Sequence, residues 1–113
     1  MKIRRLMVLI ALGMMSFPVI ADFRTTMEVY EVELVHLTLP ASENGVLSFS
    51  ECGECEVLSI RATAATRYTI NGRNVSLADF RKAIAGIADR NRQMIDVFHD
   101  LELNTLRAVE VKL

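Results

Sequence analysis

The first 21 residues differ in kind from the rest of the chain, and their interpretation decides how much of the chain takes part in the fold. A positively charged start is followed by Leu6–Phe17, which are twelve uncharged and mostly apolar residues. Pro18 then interrupts any helix, and the small side chains of Val19 and Ala21 stand three and one residues before Asp22. This layout predicts a secretory signal peptide over residues 1–21, cleaved between Ala21 and Asp22. Its positive charges are those of Lys2, Arg4 and Arg5.

A permanent membrane anchor is the alternative interpretation of the same segment. An apolar helix needs about 20 residues to cross the hydrocarbon core of a bilayer. Leu6–Ala21 supplies sixteen, with a Gly and a Pro among them. We therefore expect a periplasmic or secreted protein that keeps no stable membrane anchor after cleavage.

Removing the predicted signal peptide changes the composition of what has to fold. The full chain has 113 residues and a formal charge of −1, whereas residues 22–113 are 92 residues with 10 basic and 14 acidic side chains, a net charge of −4. This is an ordinary globular composition for one small domain. It is too short for a nucleotide-binding α/β enzyme or a barrel of eight βα units.

Most of the mature chain has the residue pattern of β-strands. Met27–Leu39 is rich in Val, Tyr, Leu and Thr and lacks Gly and Pro, which predicts one long strand. Its apolar parity changes partway, so we expect a bulge near Glu31–Glu33 or a strand buried on both faces. In the last strand Val109, Val111 and Leu113 are predicted to face inwards. The other predicted strands are Val46–Ser50, Val57–Thr63, Arg67–Ile70, Met94–His99 and Leu106–Leu113, with the turn residues Asn71 and Gly72 after the third of these.

One helix interrupts this series of strands. Ser76 followed by Asp79 predicts a helix start, because the Ser hydroxyl can accept a hydrogen bond from a free backbone N–H group. The apolar stripe that follows predicts a helix over about 77–89. The predicted fold is therefore mainly β with one helix: a small antiparallel sheet or partly closed barrel of five to six strands, with the helix packed on it. An α+β open sheet is the alternative.

Residues 58–111 resemble small exported bacterial β-barrel domains. The resemblance rests on Leu58, the run Thr66–Gly72 with its Asn-Gly turn, Val75–Phe80, Val97-Phe98 and Ala108–Val111. It implies a strand, a tight turn, a Val-x-Leu step and a closing hairpin. It brings no catalytic residue with it, and the full helix in this chain departs from the short connection of such domains.

The two cysteines, Cys52 and Cys55, form a Cys-x-x-Cys motif that admits three interpretations. In an oxidising compartment the pair is expected to form a structural disulfide. A redox-active pair needs a stabilised thiolate, but three glutamates flank the motif and the residues after it are predicted to form a strand. A zinc site needs four ligands, for which only His36 and His99 are available besides the cysteines. Haem attachment would need a histidine where Glu56 stands.

No other arrangement of residues predicts catalysis. The serines lack a nucleophile motif, and the chain has no Gly-rich phosphate loop. We therefore predict a non-enzymatic binding or structural envelope protein without a cofactor and without a metal site. The alternative is a thiol-disulfide redox or metal-handling protein that uses the Cys-x-x-Cys motif.

Charge is distributed unevenly along the mature chain. Residues 22–60 carry one basic and eight acidic residues, whereas residues 61–113 carry nine basic and six acidic residues. Either the two parts neutralise each other across one sheet, or an exposed patch remains as a docking face. The candidate patch is Arg61, Arg67 and Arg73. Export argues against nucleic acid as the partner, so an envelope protein or an anionic envelope component is expected.

The signal peptide makes a direct prediction about the mass of exported protein. Material recovered from the periplasm or the medium should begin at Asp22, and intact-mass spectrometry should therefore show the loss of residues 1–21. A mass that still contains Met1–Ala21 would contradict the prediction. A variant with Ala21 replaced by Arg is the control, because it should remain uncleaved.

Overall fold

The computed structural model describes residues 26–113, so the predicted signal peptide and its cleavage site lie outside the described residues. Within this range the elements follow one another in a mainly β order, with one short 3-10 helix at Leu34–His36 and one α-helix. No helix in the described part is long and apolar enough to cross a membrane. The elements are β1 (Met27–Glu33), β2 (Leu37–Thr38), β3 (Val46–Ser50), β4 (Val57–Arg61), β5 (Arg67–Ile70), β6 (Arg73–Val75), α1 (Leu77–Ala85), β7 (Met94–Asp100) and β8 (Thr105–Val111).

The strands form two sheets. The larger has five strands in the order β1-β7-β8-β5-β6, and the smaller is an antiparallel meander in the order β2-β3-β4. In the described part β1 and β6 remain at opposite edges of the larger sheet, so it is not closed into a barrel. The prediction of a small, mainly β fold with one helix is thus confirmed. The partly closed barrel is not what the strands form.

Alternation along the strands puts apolar residues on one face of the five-stranded sheet. Val32 of β1 lies opposite Ile95 of β7, which in turn lies opposite Val111 of β8. A second row contains Tyr30, Val97, Val109, Tyr68 and Val75. Because successive side chains in a strand point to opposite faces, these two rows form a single inner face.

The inner face is covered by two different elements. The ring of Phe49, in the smaller sheet, lies 5.0 Å from the ring of Tyr30, and the ring of Phe80, in α1, lies 5.5 Å from that of Tyr68. Both covering elements belong to the same cluster of buried residues as the inner face. The result is a core between a five-stranded sheet on one side and a small sheet with a helix on the other.

The predicted single strand over Met27–Leu39 is wrong. The 3-10 helix at Leu34–His36 divides it into β1 and β2, which belong to different sheets. The change of apolar parity marks this break rather than a bulge near Glu31–Glu33. Leu34 is 1% exposed and Leu37 is 7% exposed. In a continuous strand these two residues, three positions apart, would point to opposite faces, so the turn lets both reach the core.

The helix is shorter than predicted, because it ends at Ala85 instead of residue 89. Its start is confirmed: the Ser76 hydroxyl accepts a hydrogen bond of 3.0 Å from the backbone N–H group of Asp79. At its other end the Gly86 N–H group bonds to the carbonyl of Ala83, which closes the last turn. The residues after Gly86 pack as a loop, with Ile87 still against the core.

Sheet order produced further departures from the predicted pattern. β5 pairs with β8 in parallel, although tight connections favour antiparallel neighbours, because β6, α1 and β7 separate these two strands along the chain. β6 was not predicted; it pairs with β5 through the tight turn at Asn71 and Gly72, both of which have positive φ. Leu113 is 59% exposed rather than inward-facing, since it lies beyond the end of β8.

The hydroxyl of Tyr68 makes a prediction about stability. Tyr68 is 5% exposed, and its hydroxyl has no hydrogen-bond partner among the described residues. An unsatisfied buried hydroxyl costs about 1–3 kcal/mol. Tyr68→Phe should therefore raise the free energy of unfolding by about 1 kcal/mol at pH 7 in chemical denaturation.

The same substitution should also change the response to alkaline pH. Burial, and secondarily the charge of Glu43, raises the pKa of Tyr68 above its ordinary value of 10.0. The folded state therefore holds this proton more tightly than the unfolded state, and stability is lost as pH rises beyond 10. Tyr68→Phe should reduce that loss.

Tyr30→Phe is the control at pH 7, because it removes a hydroxyl that donates a 2.6 Å hydrogen bond to Glu28 and should therefore be destabilising. A Tyr68→Phe variant less stable than the parent would contradict the prediction.

Candidate functional site

The Cys-x-x-Cys motif lies in the turn between β3 and β4 and is joined as a disulfide. The two sulfur atoms are 2.04 Å apart and the two Cα atoms 5.0 Å apart. Cys52, Cys55 and the flanking glutamates Glu51, Glu54 and Glu56 are all exposed. The backbone N–H group of Cys55 also bonds to the carbonyl of Cys52 at 3.2 Å. The disulfide therefore clips a surface turn of the smaller sheet.

The surroundings of the disulfide do not favour a thiolate. The motif lies between two strands, β3 and β4. The α-helix of the described part, α1, begins at Leu77, so its N-terminus does not lie at either cysteine. A helix N-terminus or a nearby positive charge is the usual means of lowering a cysteine pKa. Three exposed carboxylates surround the turn instead, and they oppose the formation of negative sulfur.

The structure brings one of the two histidines close to this turn. A Cβ atom built on Gly53 would lie 3.8 Å from Cε1 of His36. The His36 ring also lies 3.4 Å from the Glu33 carboxylate. The position follows from the 3-10 helix, which turns His36 away from the path of β1. The prediction that His36 belongs to a strand is therefore wrong.

The second histidine lies elsewhere, in β7. His99 is opposite Glu28, five residues from the end of β1, and its Nε2 is 2.9 Å from Oδ1 of Asn104. At roughly 3.3 Å per residue, Glu28 and the last residue of β1, Glu33, are about 17 Å apart. The four residues of the alternative zinc site, Cys52, Cys55, His36 and His99, are thus not brought together. Within residues 26–113 no three His, Cys, Asp or Glu side chains are arranged to hold a metal ion.

The three candidate arginines are all exposed, but they occupy different surfaces. Arg61 ends β4 in the smaller sheet, opposite Val46. Arg67 starts β5 in the larger sheet, opposite Ala108, on the outer face. Arg73 lies opposite Ile70, whose row belongs to the inner face. The shared odd parity of the three arginines therefore does not make one patch, because they lie on separate strands of two sheets.

The ion pairs of the described residues do not neutralise the uneven charge along the chain. In the described part the ion pairs are Glu33–His36, Asp89–Arg92 and Asp100–Arg107. Each joins residues at most seven positions apart along the chain. Thus no ion pair among residues 26–113 connects the acidic first part with the basic second part.

The outer face of the larger sheet carries a row of acidic residues that the sequence alone did not indicate. Glu31 of β1 lies opposite Asp96 of β7, and Asp96 lies opposite Glu110 of β8. The row continues through Thr69 to Asn74. Each carboxylate occupies a polar position of its own strand, which is the only signal in the sequence. Their adjacency required the register of three strands.

A groove lies between α1 and the segment that contains the 3-10 helix and β2. Its volume is about 420 Å³, and no acidic residue lines it. The lining consists of Leu34, Leu37, Thr38, Leu39, Arg81, Ile84, Ala85 and Arg90. The sequence gives no signal for this groove, because nothing near Arg81 or Arg90 along the chain indicates that they lie beside β2.

Comparison with known proteins adds no relative to this description. No family model, no curated protein and no solved structure matches the chain. The resemblance of residues 58–111 to exported β-barrel domains therefore stays a prediction, and functional proposals rest on the residues and contacts of this chain.

The acidic row makes a prediction about stability. Like charges directly opposite each other in a sheet are destabilising by roughly 0.2–1 kcal/mol per pair. Asp96 has an acidic neighbour on each side, so Asp96→Asn should raise the free energy of unfolding by about 0.5–1 kcal/mol at low salt. The gain should shrink in 1 M NaCl, where the Debye length falls to about 3 Å.

The control for this prediction is Glu102→Gln. Glu102 is an exposed residue in the turn between β7 and β8, outside the acidic row, and its neutralisation should change stability little. Equal effects of Asp96→Asn and Glu102→Gln would indicate a response to net charge alone and would contradict the role of register.

The disulfide makes a separate prediction. Its loop is four residues long, for which the chain-entropy relation gives about 2 kcal/mol. The double variant Cys52→Ser, Cys55→Ser should unfold with a free energy lower by that amount in urea titration. The same variant under reducing conditions is the control, because it should show no further loss whereas the parent protein should. An unchanged free energy on reducing the parent would contradict a stabilising disulfide.

Proposed function

We propose that this protein is an exported, non-enzymatic binding domain whose fold is stabilised by the Cys52–Cys55 disulfide. Its partner is an acidic envelope protein or an anionic component of the envelope. The observation that carries the proposal is that the positive charge of residues 61–113 is not paired with the acidic first part in the described residues. Unpaired charge of one sign steers and orients a partner of the opposite sign.

Arg67 is the residue best placed to contact such a partner. It lies in an outer-face row with Ala108, Phe98 and Val29. Val29 is 55% exposed, and Phe98 and Ala108 are half-buried. An arginine beside accessible apolar side chains is a combination that is enriched in protein interfaces. Arg61 and Arg73 lie on other surfaces, so they are not part of this proposed contact.

Export is supported by two independent features. Residues 1–21 have the composition of a signal peptide, and the cysteines form a disulfide in a fully exposed turn. Such bonds persist in oxidising compartments and are rare where thiols are kept reduced.

The second candidate function is thiol-disulfide redox or metal handling by the same motif. The observation that favours it is the position of His36 beside Gly53, within the Cys-x-x-Cys turn. An imidazole next to reduced cysteines can accept a thiol proton or serve as a soft-metal ligand. The acidic surroundings of the turn weigh against this function.

Affinity capture from an envelope extract tests the binding function. Mature protein is immobilised in parent, Arg67→Glu and Lys82→Glu forms, and captured components are quantified by mass spectrometry. Lys82 is an exposed cation on α1, which makes its reversal a charge-matched control. We expect Arg67→Glu to reduce capture of a specific acidic component about tenfold, equivalent to about 1.4 kcal/mol, and Lys82→Glu to leave it unchanged.

Two results would contradict this proposal. Either both charge reversals reduce capture equally, which indicates non-specific attraction, or Arg67→Glu has no effect. Circular dichroism and thermal unfolding of each variant check that the fold is retained.

Thiol titration separates the two candidate functions. In the reduced protein we expect both cysteines to titrate at or above about pH 8, with no stoichiometric uptake of Zn²⁺ or Cu⁺. A thiol pKa well below that value, or one bound metal ion per chain that is lost in His36→Gln, would overturn the non-enzymatic proposal in favour of the second function.

A further inference from the structure

We infer that the groove between α1 and β2 binds a small amphipathic anion, namely a single apolar chain that ends in a carboxylate. The site lies apart from Arg61, Arg67 and Arg73, so it goes beyond the proposed docking function. The two ideas can fail separately. The inference rests on the apolar floor of the groove, on two arginines held at its rim and on the sign of its charge.

The floor of the groove is formed by side chains that belong to the core. Leu34, Leu37 and Ile84 are buried, and Leu39 is half-buried against the same cluster, yet all four line the groove. An apolar ligand placed on this floor would remove further hydrocarbon surface from water, at about 25 cal/mol per Å². The volume of about 420 Å³ lies within the range of about 300–1,000 Å³ for small-molecule sites.

Both arginines at the groove are held in place by main-chain carbonyls. Nη1 of Arg81 donates to the carbonyl of Pro40 at 2.7 Å, and Nη1 of Arg90 donates to the carbonyl of Ile84 at 3.2 Å. A guanidinium has five N–H donors, so each of these bonds leaves further donors available. The bonds reduce the conformational freedom that a ligand would otherwise have to restrict.

The loop that carries Arg90 is itself tied to the opposite wall of the groove. The backbone N–H group of Val35 donates to the carbonyl of Arg90 at 3.3 Å, and that of Leu34 donates to the carbonyl of Gln93 at 2.8 Å. The 3-10 helix and the loop after α1 are therefore connected, which makes the groove a preformed feature of the fold.

The charge of the groove selects the class of ligand. No acidic residue lines it, and among the described residues neither Arg81 nor Arg90 has a carboxylate within 4.0 Å. Guanidinium groups bind carboxylates through two parallel hydrogen bonds. An apolar chain on the leucines, with a carboxylate at the arginines, satisfies both parts of the site.

The test uses decanoate, below its micelle concentration, as the probe for the protein purified from exported material. Two matched compounds separate the contributions: decanol keeps the chain without the charge, and butanoate keeps the charge with a short chain. Binding is measured by calorimetry and by chemical-shift changes of backbone amides. We expect decanoate to bind at least tenfold more tightly than either compound, with the largest shifts in α1 and β2.

Variants test the assigned residues individually. Arg81→Gln and Arg90→Gln should each weaken decanoate binding about tenfold, equivalent to about 1.4 kcal/mol. Arg67→Gln should leave it unchanged, because Arg67 lies on the outer face of the larger sheet. Arg90→Gln also loses a contact with the end of α1, so Ala85→Trp provides a second approach. Ala85 is exposed and lines the groove, and a bulky side chain there should block the site without removing core atoms.

The inference is overturned if decanol binds as tightly as decanoate, since the arginines would then contribute nothing. It is also overturned if Arg67→Gln weakens binding as much as Arg81→Gln, or if shifts appear only above the micelle concentration. Retained capture of an envelope partner by Arg81→Gln would show that the docking function is independent of the groove.

Discussion

The 3-10 helix at Leu34–His36 connects the two sheets whose packing forms the core. It ends β1 and starts β2 in another sheet, so that the smaller sheet can fold back over the inner face of the larger one. Two backbone hydrogen bonds from Leu34 and Val35 attach it to the loop after α1. Because this turn buries Leu34 and forms one wall of the groove, the packing of the core and the groove have the same origin. It also carries His36 to the disulfide turn.

The arrangement of charged side chains on the outer face, in contrast, follows from the register of the larger sheet. Its outer face places three carboxylates next to one another across β1, β7 and β8, and Arg67 stands in the neighbouring row. The ion pairs of the described residues are local and do not join these groups. Apolar packing on the inner face therefore has to tolerate unfavourable electrostatics on the outer face.

Much of the fold could be predicted from local sequence patterns. The start of α1 at Ser76, the tight turn at Asn71-Gly72 and the hairpin of β7 and β8 each depend on a few neighbouring residues. The disulfide followed in the same way from two cysteines three positions apart. Predictions failed where distant contacts outweighed local pattern. In Met27–Leu39 the strand is interrupted, which allows Leu34 and Leu37, three positions apart, both to be buried. The groove was predicted least well, since Arg81 and Arg90 line a common groove only when β2 lies beside α1.

Residue identity and the spacing of a few positions were sufficient to predict most of the strands, the start of α1, the cysteine pair and the uneven charge along the chain. Local patterns did not indicate which strands are neighbours, including the parallel pair β5–β8. They therefore did not indicate which side chains from distant segments share a surface. Strand order and register are set by the simultaneous packing of residues far apart in the chain. The acidic row and the groove are both products of that packing.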